Sequence, residues 1–402
     1  MTASETRAVI DALTAGGGQA RFVGGCVRDA LLGRPVKDID IATPDPPERV
    51  MERLQAARIR VIPTGIDHGT VTAVVGARHF EITTLRHDVE TFGRHARVAF
   101  TADWDADAAR RDFTINAISA GPDGTLHDPF GGLADLRAGC VRFVGAPEAR
   151  IREDVLRLLR FFRFHAWYGK GEPDRAALAA CARLATLLPA LSGERVASEL
   201  KRLLLAPDPA SAVELMREHG VLAQILPEAI DAERLRLLVL IEDDLGDRDA
   251  VRRLASLLPR DPAAALAVAA RLRLSNAERD RLAHAASPEL QVAADLDERG
   301  ARRVLRRWSL ATFRDLALLG WANSPGDATR YRALLAVAEA WTPADLPVRG
   351  QDAIALGVSA GPEIGRLLGE IERWWEEGDY RGTREDCLAK LKALISERNL
   401  GG

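Results

Sequence analysis

Two aspartates flank one isoleucine in "KDIDIAT", residues 37–43, an arrangement that could hold a divalent metal. On a strand successive side chains alternate, so Asp38 and Asp40 share one face while Ile39 and Ile41 point into a core. Two carboxylates so close repel one another unless something positive lies between them, and hard divalent cations prefer oxygen ligands. A carboxylate pair on a solvated edge is the plainer alternative. The stretch just upstream, "FVGGCVRDALLG", weighs against it. There Gly24 and Gly25 let the backbone approach a ligand, the free N–H groups of a helix starting after them suit a phosphate, and Arg28 adds a fork of donors. Two glycines before a helix mean little alone. Next to the aspartates they describe a site that grips phosphate at one end and metal at the other.

Three further groups belong to the same reading. Glu81, in "HFEITTLR", lies on a predicted strand with Thr83 on its face, either as a third carboxylate or as a salt-bridge partner for an arginine. In "RRDFTINAI", Arg110, Arg111, Asp112 and Asn116 are expected to open a helix. Arg111 could reach phosphate or ribose, and Asp112 could steady that arginine or approach the metal. In "EDVLRLLRFFRF", Asp154, Arg157, Arg160 and Arg163 recur every third residue with apolar side chains between them. An isolated Asp–Arg pair at this spacing is ordinarily a helix-surface salt bridge. Here the stripe follows a metal and phosphate site.

The elements that must position these groups divide the chain by texture. Residues 1–145 alternate short β-like runs ("ARFVGGCV", "RIRVIPTG", "GTVTAVVG", "RHFEITTL", "GCVRFVG") with turns and a few helical stretches, an α/β pattern. From Arg150 onward the β signal gives way to Leu/Ala/Arg-rich helical periodicity, with breaks at Pro173, Pro207, Pro227, Pro259 and Pro325. At 402 residues the chain is long enough for roughly two to four domains. Its 47% hydrophobic and 28% charged residues are ordinary for a globular protein. No apolar run approaches the ~18 residues of a membrane span, and the N-terminus has no basic, apolar leader pattern. Cys26, Cys140, Cys181 and Cys387 form no CxxC pair, which fits reduced thiols in a cytoplasmic protein. A net charge of −3 argues against indiscriminate nucleic-acid binding but leaves room for a local basic surface.

In this order, "GGCVRDALLG…KDIDIAT", "TGIDHGTVTAVV…FEITTLR", "RRDFTINAI", "HDPFGGLADL" and "REDVLRLLRFFRF" resemble the class II tRNA nucleotidyltransferases, the bacterial CCA-adding enzymes and their poly(A) polymerase relatives. The likeness is dense over residues 20–170. Beyond it, "LSGERVASEL" resembles the family's Glu-Arg neck motif, at Glu194 and Arg195, and "PVRGQDAIALGVSAGPEIGRLLGEI" resembles its tail. The resemblance implies an α/β nucleotidyltransferase head, a small mixed sheet with helices, over residues 1–145. All-α domains would follow: a neck for base recognition (146–205), a body (206–340) and a tRNA-binding tail (341–402). It implies a catalytic pair, Asp38 and Asp40, binding Mg²⁺ in a two-metal mechanism. Gly25, Arg28 and Arg111 would contact the incoming nucleotide, and Asp154 and Arg157, with Arg160 and Arg163, would read and hold its base. Glu81 matches a carboxylate position of the family. The substrates would be tRNA, CTP and ATP, with no membrane and no protein partner implied.

Base choice follows from hydrogen bonding. Cytosine and adenine each present an amino group beside an unprotonated ring nitrogen, which an aspartate and an arginine can meet; uracil and guanine present the reverse. Within the family, poly(A) polymerases share the head motifs, whereas "TGIDHGTVTAVV" resembles the CCA-adding form. CC-adding members lack a flexible loop before the RRD motif, and here "LRHDVETFGRHARVAFTADWDADA" fills that interval. The stretch from His87 to Asp103 is therefore expected to be a lever-like loop, with a strand and turn as the alternative. His87-Asp88 and His127-Asp128 are isolated dipeptides and give no support for a phosphohydrolase domain. An RNA-binding protein without catalysis is disfavoured, because the metal pair and the phosphate arginines are intact.

Overall fold

A computed structural model describes residues 1–92, 95–230 and 232–401; the side chains of 88–98 and 398–401 lie outside the description. The chain forms two compact units, one of Met1–Ala232 with Val268–Leu274, the other of Glu233–Ala267 with Ser275 onward.

The first unit holds every strand among the described residues: β1 (Arg21–Val23), β2 (Ile39–Thr43), β3 (Arg60–Gly65), β4 (Thr70–Val75), β5 (Arg78–Thr84), β6 (Arg86–Phe92), β7 (His95–Phe100), β8 (Ser119–Ala120) and β9 (Leu126–His127). Seven form one mixed sheet in the order β3-β4-β5-β2-β1-β8-β9. Neighbours run antiparallel except β2 and β5, which are parallel with Asp40 in register with Glu81. Alternation fixes that register. Ile39 and Ile41 of β2 and Phe80 and Ile82 of β5 are buried on one face, leaving Asp40 and Glu81 on the other. A slip of one residue would drive a carboxylate into the core and each apolar chain into water, at about 1.5–3 kcal/mol per side chain.

Three sequence expectations need correction. "GCVRFVG" makes no strand, only a single bridge between Phe143 and Phe113. The helix expected to open at Arg110 instead ends there. Asp103 caps a helix over Trp104–Ala109 by accepting from the Asp105 and Ala106 amides, and acidic residues in its first turn favour that earlier start. Past Arg110 the chain makes only one 3₁₀ turn, Thr114–Asn116. The stretch from His87 to Asp103 is mostly the β6–β7 hairpin, the strand-and-turn alternative. Gly93 and Arg94, between the two strands in sequence, lie outside the described residues.

Four helices complete the site's surroundings: Pro147–Glu153, Leu156–Tyr168, Arg175–Leu184 and Gly193–Leu204. The helical periodicity that begins at Arg150 is broken at Asp154, whose backbone is extended (φ −148°, ψ 107°). Its carboxylate accepts from the Leu156 amide, so the aspartate competes with the helix for the backbone and starts a second one.

The second unit is helical among the described residues. Its interior carries a charged cluster in which Arg252 pairs with Glu242 and Asp315, and Arg253 pairs with Glu242, all of them buried. Towards the C-terminus, Val348, Leu367, Ile371, Trp375, Cys387 and Leu391 gather into an apolar cluster of their own. No helix among the described residues is long and apolar enough to cross a membrane.

Candidate active site

β1 ends in a turn at Gly24 (φ 71°), and the helix Gly25–Leu31 starts immediately after it. A side chain at Gly24 would be strained by that φ, and its Cβ would lie 3.0 Å from Arg111 Nη1. The glycine thus lets the strand end against an arginine. At seven residues the helix is short, so the positive charge here comes mainly from guanidinium groups.

These meet in a cavity of about 460 Å³ lined by Gly24, Gly25, Arg28, Asp40, Arg111, Asp112, Asn116, Asp154, Leu156, Arg157, Arg160 and Phe164. Of the nine residues given a catalytic or nucleotide-binding role from the sequence, seven line it, all but Asp38 and Arg163. Asp38 is exposed just before β2 and acts on Asp40 through its charge. Arg163 does not reach the lining: its Nε donates to Glu199 at 2.5 Å and its guanidinium lies over the Phe164 ring. A cavity of similar size in the second unit, about 420 Å³ and lined by Arg234, Arg260, Asp295 and Tyr331 among others, contains none of the residues flagged from the sequence.

Each guanidinium in the site is held by named partners. Arg28 Nη1 donates to Asn116 Oδ1 at 2.6 Å, and its Nε and Nη2 donate to Asp29. Asn116 donates in turn to Asp112 Oδ1 at 2.9 Å, and Asp112 accepts from Arg160 Nε at 2.7 Å. Arg111 pairs with buried Asp107 and donates to the Asn116 carbonyl. Arg157 pairs with Glu153 at 2.5 Å and donates to the Arg150 and Arg110 carbonyls. The Asp154–Arg157 pairing considered from the spacing is not formed; both Asp154 oxygens accept from Arg195 at 2.9 Å.

Electrostatics separate the carboxylates. Burial pushes Asp112 upward, but Arg160, Asn116 and the Phe113 amide outweigh it and hold the carboxyl below its ordinary range. Asp107 is lowered likewise, with Arg110 and Arg111 overcoming burial. Asp40 goes the other way. Burial raises it first, the Glu81 charge adds to that, and Arg111 only partly offsets Asp38 and the rest. Among the described residues no hydrogen bond steadies this carboxylate. No group of three or more His, Cys, Asp or Glu side chains forms a metal-ligand set among them either. The donors present are hard oxygens, Asp38 and Asp40 with Glu81 on the adjacent strand, carrying negative charge that Arg111 only partly offsets. That donor set fits a hard divalent cation.

Glu199 and Glu153 were missed by sequence reasoning, and both anchor arginines of the site. Glu199 left a signal: a 4%-exposed carboxylate among Val196, Leu200 and Leu203 on the apolar face of an amphipathic helix needs a cationic partner. Glu153 left none, because it reads as one more charge on a helix surface.

The chain matches a family model described as "Poly A polymerase head domain" over residues 20–142, and one described as "Probable RNA and SrmB- binding site of polymerase A" over 172–233. It is 36% identical to the mitochondrial CCA tRNA nucleotidyltransferase 1 of Mus musculus over 388 residues, 93% of this chain and 86% of that protein. It is 34% identical to the CCA-adding enzyme of Geobacillus stearothermophilus over 418 residues, 98% of this chain and 97% of that one. Among solved structures, the Bacillus stearothermophilus CCA-adding enzyme in complex with CTP superposes with a TM-score of 0.74 at 28% identity, covering 99% of this chain and 98% of that one. With relatives of such identity spanning nearly its whole length, this chain belongs to the class II tRNA nucleotidyltransferases, the family of the CCA-adding enzymes.

Proposed function

We propose that this protein adds CMP, CMP and AMP from CTP and ATP to the 3′ end of tRNA without a nucleic-acid template, releasing pyrophosphate. The observation that carries the reading is the single cavity in which the strand aspartate Asp40 faces Arg28, Arg111, Asp154 and Arg157. In this reading Asp38 and Asp40 hold Mg²⁺. When bound, the metal lowers the pKa of the attacking 3′-hydroxyl and neutralises charge on the triphosphate. The chain's own residues align and stabilise. Arg28 and Arg111 take triphosphate oxygens, pre-aimed by Asn116, Asp29 and Asp107, so little reorganisation is needed as charge builds on the leaving group. Gly24 and Gly25 keep the wall beside them open.

Asp154 accepts the amino group of cytosine or adenine. A carboxylate has about four acceptor sites, so the two bonds from Arg195 and one from the Leu156 amide fix its direction and leave about one for the base. Arg157 donates to the ring nitrogen, with Arg160 beside it, while Arg163 supports from behind through Glu199. Uracil or guanine would leave each group facing the wrong partner, at roughly 1–3 kcal/mol per unsatisfied group. The division into head, neck, body and tail at residues 145, 205 and 340 accompanies this reading. So does the cytoplasm as compartment, to which the free cysteines are suited.

A poly(A) polymerase is the second reading, favoured by the wording of the matched family models; relatives that span the chain favour CCA addition. One experiment separates them. Transcripts of tRNA ending before the first C, after C and after CC are incubated with CTP or ATP alone and with both. Stepwise addition that stops after CCA supports the proposal; a growing A tail, or addition of only C or only A, overturns it.

A further inference from the structure

Arg28 is fixed from more than one side. Three of its N–H groups are engaged by Asn116 and Asp29, and its guanidinium carbon lies 4.1 Å from the centre of the Tyr168 ring. Tyr168 is the last residue of the helix Leu156–Tyr168, far in sequence from Arg28. Its hydroxyl donates to Asp29 Oδ1 at 3.0 Å, the same oxygen that accepts from Arg28 Nε. One side chain therefore acts on the guanidinium twice, by its π face and through the carboxylate. The ring also carries Arg34, 4.7 Å from its centre, and Arg34 donates to the Trp167 carbonyl. One turn back, Phe164 stacks with Tyr168 and lies beneath Arg28, Arg160 and Arg163.

This helix thus presents base-side residues at its start and an aromatic support for the phosphate arm at its end. Guanidinium groups crowded into one cavity repel each other, and a ring face is an attractive surface that leaves their remaining N–H groups free. We infer that Tyr168 is a positioning residue that aims the Arg28 guanidinium at the triphosphate common to CTP and ATP. The inference rests on the reading that Arg28 binds that triphosphate.

The test uses the full chain and inorganic tripolyphosphate, a probe with no base. Tyr168→Leu should raise the inhibition constant of tripolyphosphate and the KM values of CTP and ATP by a common factor, about 3- to 30-fold for a cation–π contact. Preference over UTP and GTP should stay unchanged. Tyr168→Phe, which keeps the ring, should recover most of the loss. Should Tyr168→Leu not fold, Tyr168→Met takes its place at similar volume. A lower melting temperature with unchanged tripolyphosphate inhibition overturns the inference, as does a KM that rises for one nucleotide alone. Arg28→Ala separates the two levels. If tripolyphosphate inhibition survives Arg28→Ala, the reading of Arg28 fails. If it is lost there but untouched in the Tyr168 variants, only the role of Tyr168 fails.

Discussion

At the scale of single residues, carboxylates of one formal charge take different tasks from their surroundings. Asp40 sits beside Glu81 and Asp38 with Arg111 only partly offsetting them, whereas Asp112 accepts from Arg160, Asn116 and the Phe113 amide. Asp38→Ala or Asp40→Ala should therefore abolish incorporation of both nucleotides while leaving tRNA affinity nearly unchanged, since phosphate contacts elsewhere hold the RNA. Parallel loss of filter-bound tRNA and of rate would make the pair structural. Asp112→Asn should cost stability instead. Its folded pKa is depressed, so its contribution is present above the ordinary carboxylate value and lost as pH falls through the folded one. In urea titrations the variant should be weaker by roughly 3–5 kcal/mol at pH 7, as when one partner of a buried pair is removed, and the gap should narrow below about pH 4. Arg157→Ala should relax discrimination against UTP and GTP more than it weakens triphosphate binding; intact preference in a destabilised enzyme would leave Arg157 a helix salt bridge. That Asp40, Arg28 and Arg111 belong together was legible, because residue type and spacing already grouped them, and they line one cavity. Arg163 was not fully legible: its stripe shows which face it shares, not that Glu199 draws it off the cavity.

At the scale of elements, β2 and β5 were readable by alternation, and the helical region by its period. Where local chemistry competed with the period, the reading failed. Asp154 interrupts a strongly periodic run because its carboxylate caps the next helix, and Asp103 starts a helix earlier than the RRD motif suggests. The β6–β7 hairpin was hidden by polar residues that read equally well as loop. The ribbon lies outside the main sheet, and two strands alone are only marginally stable. Replacing residues 91–97 by a few glycines should leave both C additions largely intact and sharply reduce the final A, because one rigid pocket cannot grip both a pyrimidine and a larger purine. Product ladders from each transcript decide it; equal loss of C and A, or no loss, removes the hairpin from the switch.

At the scale of the whole molecule, the division of the chain was the least legible feature. Nothing in the helical texture marks Val268–Leu274 as belonging with the N-terminal unit. The reason is contact across a long sequence separation. Gly193 lies so close to the Arg271 carbonyl that a Cβ there would be 2.1 Å from its oxygen, Arg271 pairs with Glu228, and Leu272 is 1% exposed. Leu272→Ala should destabilise the first unit by roughly 2–5 kcal/mol. Hydrogen exchange should quicken in the helix Gly193–Leu204 and not in the helix Leu310–Asn323; uniform quickening in both would contradict the assignment of this segment.

That borrowed segment has a consequence for how the protein is made. A nascent chain that has emerged only as far as Ala232 lacks the residues that close its first unit. At about 5–20 residues per second, a further delay of seconds separates the emergence of that unit's main stretch from its completion. During that interval Gly193, Glu194 and Glu228 wait for Arg271 and Arg273, still inside the ribosome. Vectorial synthesis therefore gives this enzyme a window in which its first unit is open to chaperones and to misassembly, and the window closes only when Leu274 is free.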